Sequence, residues 1–551
     1  MSLPVKNLNP DPFLTKFFDA NNKTAPSAVR RRASFFTFFA EIIYPLLAAY
    51  REKLALTYCE DNGRPAVEPV LLLGVQVLQF VERIPDRQAA ENVQYDLRWR
   101  LALHMGLDDN SFDPSLLAKF RDRLLKGGLE RVAFEAMLEK LVASGWVTKR
   151  SKQRLDSTHV CGLLKNMSRL ECARETMRLA LEDLERQEIF LESWAALWDR
   201  YVETKIDPRC GLASLKAKVK QAGEDMRIIL VWGETQPAEI KNREGLQLLR
   251  RVFEENYEED KNGGHEQTRA QPTGAVHNPH EPEAQWSSKS TTKDKTWIGY
   301  KTQVAETVQD KPREKGEPTC NFITAVVTQD ATESDKAGMA EVLAEQAKGG
   351  LEPPSDLYVD GAYVSSEALK DAQEQNRQLH GPAPVSPDRG KVFTAEAFDV
   401  LVEERRALCP AGHVSSNCSR LTENKSGKVS YRIEWNNTLC SACPLQKQCV
   451  SEGQPHRTVV VGELHSLLQE RRRTMQTEDY KHDMKRRNGI EGTQSELVRA
   501  YGLRQARYRG KAKVRLQNYF IGAACNMRRL FRRITWEAVQ AMKPQVAVHP
   551  S

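Results

Sequence analysis

The stretch LYVDGAYVS (residues 357–365) places one acid, Asp360, after a short apolar run and directly before Gly361. An acid at such a point often caps the helix that follows, because its oxygens accept hydrogen bonds from the first free N–H groups. It can also hold a catalytic metal ion when further carboxylates lie beside it. The stretch alone leaves both interpretations open, and carboxylates elsewhere in the chain decide between them.

The elements around this stretch have an informative order. The segment KQRLDSTHVCGLL (152–164) has strand character and contains Asp156, and strand-like segments return at 297–308 and 321–330. A helix follows at about 335–347, then the strand ending at Asp360, then a helix over 365–376. This is the element order of a ribonuclease-H-like α/β domain, whose first and fourth strands lie side by side. The order predicts that Asp156 and Asp360 meet near one end of the sheet.

The remaining segments predict the domain organisation. Apolar residues recur at helical spacing over residues 1–150, where we expect a helical N-terminal DNA-binding domain. Residues 151–551 are expected to form the mixed-sheet catalytic domain, which gives the chain an α/β fold class. Within it, residues 166–293 are predicted to be a helical insert followed by a disordered or loosely held linker, and residues 395–465 a Cys-rich insert.

The composition is that of an ordinary soluble protein, with 40% hydrophobic and 28% charged residues among 551. The most apolar stretch, FFTFFAEIIYPLLAAY (35–50), is shorter than the roughly 20 residues that a membrane span needs. Glu41 and Pro45 also interrupt it, so we expect a buried helix. With no signal peptide recognised, we expect no membrane partner and a cytoplasmic, nucleoid-associated location.

Most of the positive charge is concentrated late in the chain. Residues 471–536 contain 18 Lys and Arg against 5 Asp and Glu, although the net charge of the whole chain is only +7. A solvated helix face is the ordinary explanation, but a field of one sign at this density favours nucleic acid as a partner. The predicted DNA contacts in this segment are Arg487, Arg499, Arg504, Arg507, Arg509 and Lys511.

A second basic surface is predicted in SFDPSLLAKFRDRLLKGG (111–128). Its apolar stripe leaves Lys119, Arg121 and Arg123 largely outward, where they can reach a DNA groove or its phosphates. A plain bundle helix with a charged face explains the pattern equally well.

Two neighbouring acids repel each other, and burying them is costly unless a cation neutralises them. Carboxylate oxygens favour Mg²⁺, or Mn²⁺ in its place, and a pair of ions requires a third carboxylate. Glu491 is the preferred candidate, because it lies four residues after Arg487 and therefore on the same helical face. An ordinary helix salt pair is the alternative explanation, and Glu496 is the competing acid.

Four segments occur in one order over nearly the whole chain: RLDSTHV, WIGYKTQVA, YVDGAYVS and RNGIEGTQSELVRAYGLRQARYRGKAKVRLQNYF. With them the chain resembles the DDE transposases of bacterial insertion sequences, in the branch with a helical N-terminal domain, a ribonuclease-H-like core and a Cys-bearing insert. The resemblance implies that Asp156, Asp360 and Glu491 are the catalytic, metal-binding triad. It also implies cleavage at the terminal inverted repeats of an element and joining of the 3′-hydroxyl to target DNA. Pairing of two ends implies at least a homodimer on double-stranded DNA.

The chain departs from these relatives in the last helix, where Tyr, Arg, Glu and Lys often stand at fixed steps. Met484 occupies the tyrosine position and Val498 the lysine position, with Lys485 and Arg499 beside them. How the protein binds the DNA end, and whether cleavage passes through a hairpin intermediate, therefore stay open. Two alternatives also stay open: an inactive DNA-binding relative, and a ribonuclease-H-like nuclease without strand transfer.

The Cys-rich insert contains a possible zinc site. Cys440 and Cys443 are separated by two residues, a spacing that lets two thiolates share one tetrahedral ion, and Cys409 and Cys449 can complete the set. In the family that the chain resembles, similar inserts are also interpreted as zinc sites. Cys418 and His413 are alternative ligands, and free thiols in a small core are the alternative to a metal site.

Overall fold

A computed structural model describes residues 9–59, 66–204, 212–259, 265–268, 270–289, 295–310, 313–384, 392–424 and 427–542. The first part of the chain is helical. A π-helical turn, Phe39–Ile43, joins the second helix to the third. The helices are α1 (Pro12–Thr24), α2 (Ser27–Phe38), α3 (Tyr44–Ala48), α4 (Arg51–Ala55), α5 (Pro69–Glu82), α6 (Asp86–Tyr95), α7 (Leu97–Ala102), α8 (Ser115–Lys126) and α9 (Val132–Ala143).

Helix α5 lies in the centre of this part because it is apolar on every side, which is the pattern of a buried helix. Glu68 caps its start through the N–H of Val70, and Arg83 ends it in the left-handed conformation. The apolar stretch 35–50 is buried as predicted, with Phe39 and Leu47 fully inaccessible. In the described ranges, no helix is long and apolar enough to cross a membrane.

The chain then forms strand β1 and a helical insert. The elements are β1 (Gln153–Cys161), α10 (Arg169–Glu185), α11 (Ala195–Trp198), α12 (Leu212–Glu234), α13 (Ala238–Lys241), α14 (Glu244–Asn256), and a hairpin of β2 (Tyr257–Glu259) and β3 (His265–Gln267). Helices α10, α12 and α14 pack around a core of their own that includes Met177, Met226 and Leu249. The prediction of a helical insert is confirmed.

The predicted loose linker is wrong over residues 270–288, which pack first against the helical insert and then against the sheet. Glu281 is 1% exposed and accepts hydrogen bonds from the N–H groups of Leu163 and Leu164 and from the hydroxyl of Tyr300. Polar side chains of this segment form hydrogen bonds with buried backbone groups, so its polar composition does not indicate a free chain. Residues 260–264, 269 and 290–294 of the predicted linker lie outside the described residues.

The central sheet is completed by β4 (Gln285–Ser288), β5 (Thr296–Thr307), β6 (Ile323–Asp330), β7 (Asp356–Tyr358) and β8 (Gln378–His380), with α15 (Asp335–Lys348) and α16 (Ser366–Glu374) between the later strands. The strand order is β4-β5-β1-β7-β8, and β6 also pairs with β5. β5 is antiparallel to β1 and β6, whereas β1, β7 and β8 are parallel. This mixed sheet confirms the predicted α/β fold class and is consistent with a ribonuclease-H-like core.

The Cys-rich segment forms small sheets, and the chain ends in helices. The elements are β9 (Asp399–Leu401), β10 (Arg406–Leu408), β11 (Asn417–Thr422), β12 (Val429–Glu434), α17 (Asn437–Ser441), α18 (Gln446–Cys449), β13 (Thr458–Gly462), α19 (His465–Thr474), α20 (Glu478–Met484), α21 (Gly489–Tyr501) and α22 (Lys511–Ala541). Helix α22 packs on both α5 and β6. The rings of Phe80 and Phe520 stack 5.3 Å apart, so the N-terminal helices and the sheet share one core.

Candidate active site

Asp156 and Asp360 come from neighbouring parallel strands. β1 and β7 pair with Arg154 opposite Tyr358, so two residues further along each chain the two acids lie side by side. Oδ1 of Asp360 accepts a hydrogen bond from the N–H of Ala362 at 2.9 Å, which caps the turn that follows. The capping interpretation is therefore correct for one oxygen, and the other oxygen is available to the site.

The guanidinium group of Arg487 lies among the three predicted acids. Its Nη2 is 3.4 Å from Oδ2 of Asp156 and 3.8 Å from Oδ2 of Asp360, and its Nη1 is 3.8 Å from Oε1 of Glu491. The side chain of Asp156 is 14% exposed and that of Glu491 is 70% exposed. The carboxylates thus surround one positive charge in a site that opens to solvent on the Glu491 side.

The electrostatics of Asp156 favour a bound cation. Burial raises the pKa of this carboxyl, while a hydrogen bond from the Ser157 N–H and the charge of Arg487 oppose the rise. The neighbouring Asp360 adds a further upward push on the same pKa. Two close carboxylates of this kind keep their charge when a cation sits between them, and here the cation is a guanidinium.

Glu496, the competing acid, is engaged elsewhere. Its Oε2 lies 2.9 Å from Nη2 of Arg529, and its Oε1 lies 3.2 Å from Nη1 of Arg532. Both partners belong to α22, so Glu496 joins two helices instead of facing the aspartates.

A buried network, which we call the Glu306 clasp, joins β1, β5, α21 and α22. Glu306 is fully buried and accepts hydrogen bonds from Nε of Arg154 at 2.7 Å, Nη1 of Arg529 at 2.8 Å and the hydroxyl of Thr493 at 2.8 Å. Burial alone would raise the pKa of Glu306, but the charges of Arg529 and Arg154 hold it below the ordinary value. A buried carboxylate paired in this way is ionised and fixed in place.

The clasp also determines where α21 begins. Nη1 of Arg154 donates to the carbonyl of Arg486 at 2.8 Å, in the turn just before the helix. Gly489, the first residue of α21, packs so closely on this guanidinium that a Cβ there would overlap it. Since Arg154 is two residues before Asp156 and Gly489 two before Glu491, the contact links the strand of one acid to the helix of another.

The predicted zinc ligands line one small cavity. The lining thiols are Cys409, Cys440, Cys443 and Cys449. The cavity has a volume of about 20 Å³, enough for one water-sized group, and His413 also lines it. Burial raises the pKa of Cys449 to about 11, and the three other thiols add to this rise, whereas Arg457 lowers it. Cys418, an alternative ligand, lies on β11.

Neither predicted metal site is preformed among the described residues. In the part of the chain that the structure describes, no group of three or more His, Cys, Asp or Glu side chains is arranged to hold a metal ion. At the carboxylates, the Arg487 guanidinium occupies the space between the oxygens. The donor types still match the predicted ions, since oxygen donors suit Mg²⁺ or Mn²⁺ and thiolates suit Zn²⁺.

The predicted basic surface on α8 needs a correction. Arg121 is 5% exposed, and its two Nη atoms donate to the Asp86 carboxylate at 3.0 and 2.6 Å. The expectation that Arg121 faces outward is therefore wrong, because an acid from another helix holds it inside. Lys119 is exposed, and Arg123 lies 4.3 Å from the centre of the Tyr58 ring.

Several predicted contacts of the C-terminal segment also have partners within the chain. Arg507 donates to a backbone carbonyl after α5 at 2.5 Å, and Nζ of Lys511 lies 2.8 Å from a carboxylate at the end of β6. Arg504 donates to a threonine hydroxyl of β1 at 3.3 Å. Arg499 and Arg509 are exposed. Contact with DNA stays a prediction for these residues.

Two family models match the chain. A model described as a transposase DDE domain matches residues 408–531, and one described as a transposase domain (DUF772) matches residues 27–123. Together the two matches support a DDE transposase of insertion-sequence type. No curated protein matches it.

The two matches cover different parts of the chain. The DDE match contains Arg487 and Glu491 together with the four clustered cysteines, whereas Asp156 and Asp360 precede it. The other match spans the helices from α2 into α8. A DDE domain indicates polynucleotidyl transfer on DNA, and transposases of this type generally use divalent metal ions.

Proposed function

We propose that Asp156, Asp360 and Glu491 hold divalent metal ions with which the transposase cuts DNA at element ends and joins the 3′-hydroxyl to target DNA. The observation that carries this proposal is the convergence of three carboxylates, from β1, the end of β7 and α21, on one guanidinium within 3.8 Å. Three acids gathered around a positive charge supply the oxygen donors that Mg²⁺ or Mn²⁺ prefers.

Each acid contributes differently to such a site. Asp156 and Asp360 each use Oδ1 to accept a hydrogen bond from a backbone N–H, which orients the carboxylate and leaves Oδ2 for the ion. Glu491 lies on the side of the site that opens to solvent, from which the DNA would enter. Held by these three carboxylates, divalent ions would supply activation of the attacking water or 3′-hydroxyl and stabilisation of the leaving oxygen. Arg487 keeps a positive charge beside the phosphate.

We also propose that the four clustered thiols hold a structural zinc ion and that two copies of the chain act on a pair of DNA ends. The exposed residues Lys119, Arg499 and Arg509 are suited to phosphate contacts, since no burial has to be undone. The N-terminal helices over residues 1–150 would bind the element end.

A cleavage and joining assay tests this function. Labelled DNA that carries the flanking element ends is incubated with Mg²⁺ and wild type, Asp360→Asn or Asp371→Asn. Asp371 is an exposed acid of α16 and serves as the matched control. We expect cleavage and joining to be lost in Asp360→Asn, with DNA binding retained, and to persist in the control. Equal activity in all three proteins would refute the proposal, and cleavage without joining would favour the nuclease alternative.

A further inference from the structure

A groove between α2, the end of α5 and α22 gathers arginines from opposite ends of the chain. Its volume is about 460 Å³. We name it the arginine groove, and its defining residues are Arg31, Arg32, Arg528, Arg532, Phe35 and Phe531. Residues about 500 positions apart in sequence thus form one surface.

The arginine groove carries more positive than negative charge. Arg32 pairs with Glu82 at 3.2 Å and Arg532 with Glu496 at 3.2 Å, but their side chains remain 64% and 55% exposed. Both acids have other donors as well, so neither is reserved for the groove. Within the described residues, Arg31 is exposed and forms no ion pair. The groove therefore has a surplus of positive charge.

The floor of the groove is rigid and aromatic. Arg528 lies 5.0 Å from the centre of the Phe35 ring and donates to the carbonyl of Val81 at 3.3 Å. Phe531 packs edge-on against Phe35, with the ring centres 5.4 Å apart. A guanidinium stacked on a ring loses little further conformational freedom when it binds an anion, which favours phosphate over water.

Helix α21 links the groove to the carboxylate site. Glu496, the partner of Arg532, is on α21 five residues after Glu491. A helix rises about 1.5 Å per residue, so the two acids are about 7.5 Å apart along its axis.

We propose that the arginine groove binds the phosphodiester backbone of the substrate DNA, through contacts that do not depend on base sequence. This inference rests on the proposed function, since it takes DNA as the substrate. A surplus of exposed guanidinium groups above an apolar floor is complementary to the charged strand of a nucleic acid.

Binding of a duplex of arbitrary sequence, without metal ions and over a range of salt concentrations, tests the proposal. The variant is Arg31→Gln with Arg532→Gln, which removes one charge from each side of the groove. The control is Arg186→Gln with Arg227→Gln, which removes two exposed charges from the helical insert. Each lost phosphate contact makes the slope of log K against log salt less steep by about 0.9. The slope of the groove variant should therefore be less steep than that of wild type by about 1.8.

We expect the control to keep the wild-type slope and both variants to keep the wild-type thermal midpoint. Equal slopes in the groove variant and wild type would overturn the proposal. So would equal losses in both variants, because these would report net charge alone. The binding measurement is independent of cleavage, so the two proposals can be refuted separately. An unchanged salt slope in a groove variant that still cuts DNA would refute only the groove proposal. Cleavage by Asp360→Asn would refute only the carboxylate-site proposal.

Discussion

Replacing Gly489 by Ala should disrupt the start of α21 although the change adds one methyl group. The new Cβ would overlap the guanidinium of Arg154. The end of a flexible side chain usually moves aside at small cost. Here it is only 8% exposed and is bonded to both Glu306 and the carbonyl of Arg486, so it cannot move without breaking these bonds.

The magnitude follows from the two opposing effects. Breaking a buried ion pair costs about 3–5 kcal/mol, because a charge is left without its partner. Ala in place of Gly in a helix contributes about 0.5–1 kcal/mol of stability. We therefore expect Gly489→Ala to lower the free energy of unfolding by about 2–4 kcal/mol. The helix that carries Glu491 should also shift, so DNA cleavage should fall.

Gly492 provides a matched control in the same helix, since a Cβ there would meet open space. Gly492→Ala should raise the free energy of unfolding by up to about 1 kcal/mol through helix propensity alone. Denaturant unfolding followed by tryptophan fluorescence measures both variants. If Gly489→Ala is as stable as Gly492→Ala, the reasoning about the clasp is wrong.

Further predictions concern the clasp, the thiols and the site cation. In denaturant unfolding, Glu306→Gln should lower the free energy of unfolding by about 3–5 kcal/mol. The control Glu404→Gln, whose ion pair is exposed, should lower it by less than about 1 kcal/mol. Because the folded pKa of Glu306 is below the ordinary 4.5, its contribution is complete above pH 4.5 and is lost as the pH falls through the folded value. Wild type should thus lose stability in acid more steeply than Glu306→Gln when unfolding is repeated at several pH values. In metal analysis of purified protein, Cys418→Ser should contain about one zinc ion per chain and Cys440→Ser should contain none. Equal zinc contents in the two variants would exclude this ligand set. Arg487→Gln should bind Mn²⁺ more tightly than wild type in calorimetry, since a competing cation is gone, and weaker binding would count against a shared site.

Much of the site follows from local sequence. The order of strands and helices places Asp156 beside Asp360 because the register of parallel strands is regular. Glu491 was predicted from its spacing to Arg487, and the two side chains do interact at 3.8 Å. In each case the deciding information lies within one or two elements.

The contacts that the sequence analysis missed join residues far apart in the chain. Glu306 finds Arg154 and Arg529 across separations of 152 and 223 residues, and helix or strand periodicity carries no information about such pairs. A charged residue near the end of a strand, directly after Val304 and Ala305, was the available signal. Arg121 was misplaced for the same reason, because its partner Asp86 comes from another helix.

The most direct test of the central claim is cleavage by Asp360→Cys with Mg²⁺ and with a softer ion such as Mn²⁺ or Cd²⁺. A thiolate is a poor ligand for Mg²⁺ and a better one for softer ions. If Asp360 binds the catalytic metal, the variant should be inactive with Mg²⁺ and regain part of its activity with the softer ion, while wild type cuts with Mg²⁺. Full activity of the variant with Mg²⁺, or no activity with any of the ions, would contradict direct metal binding by this acid.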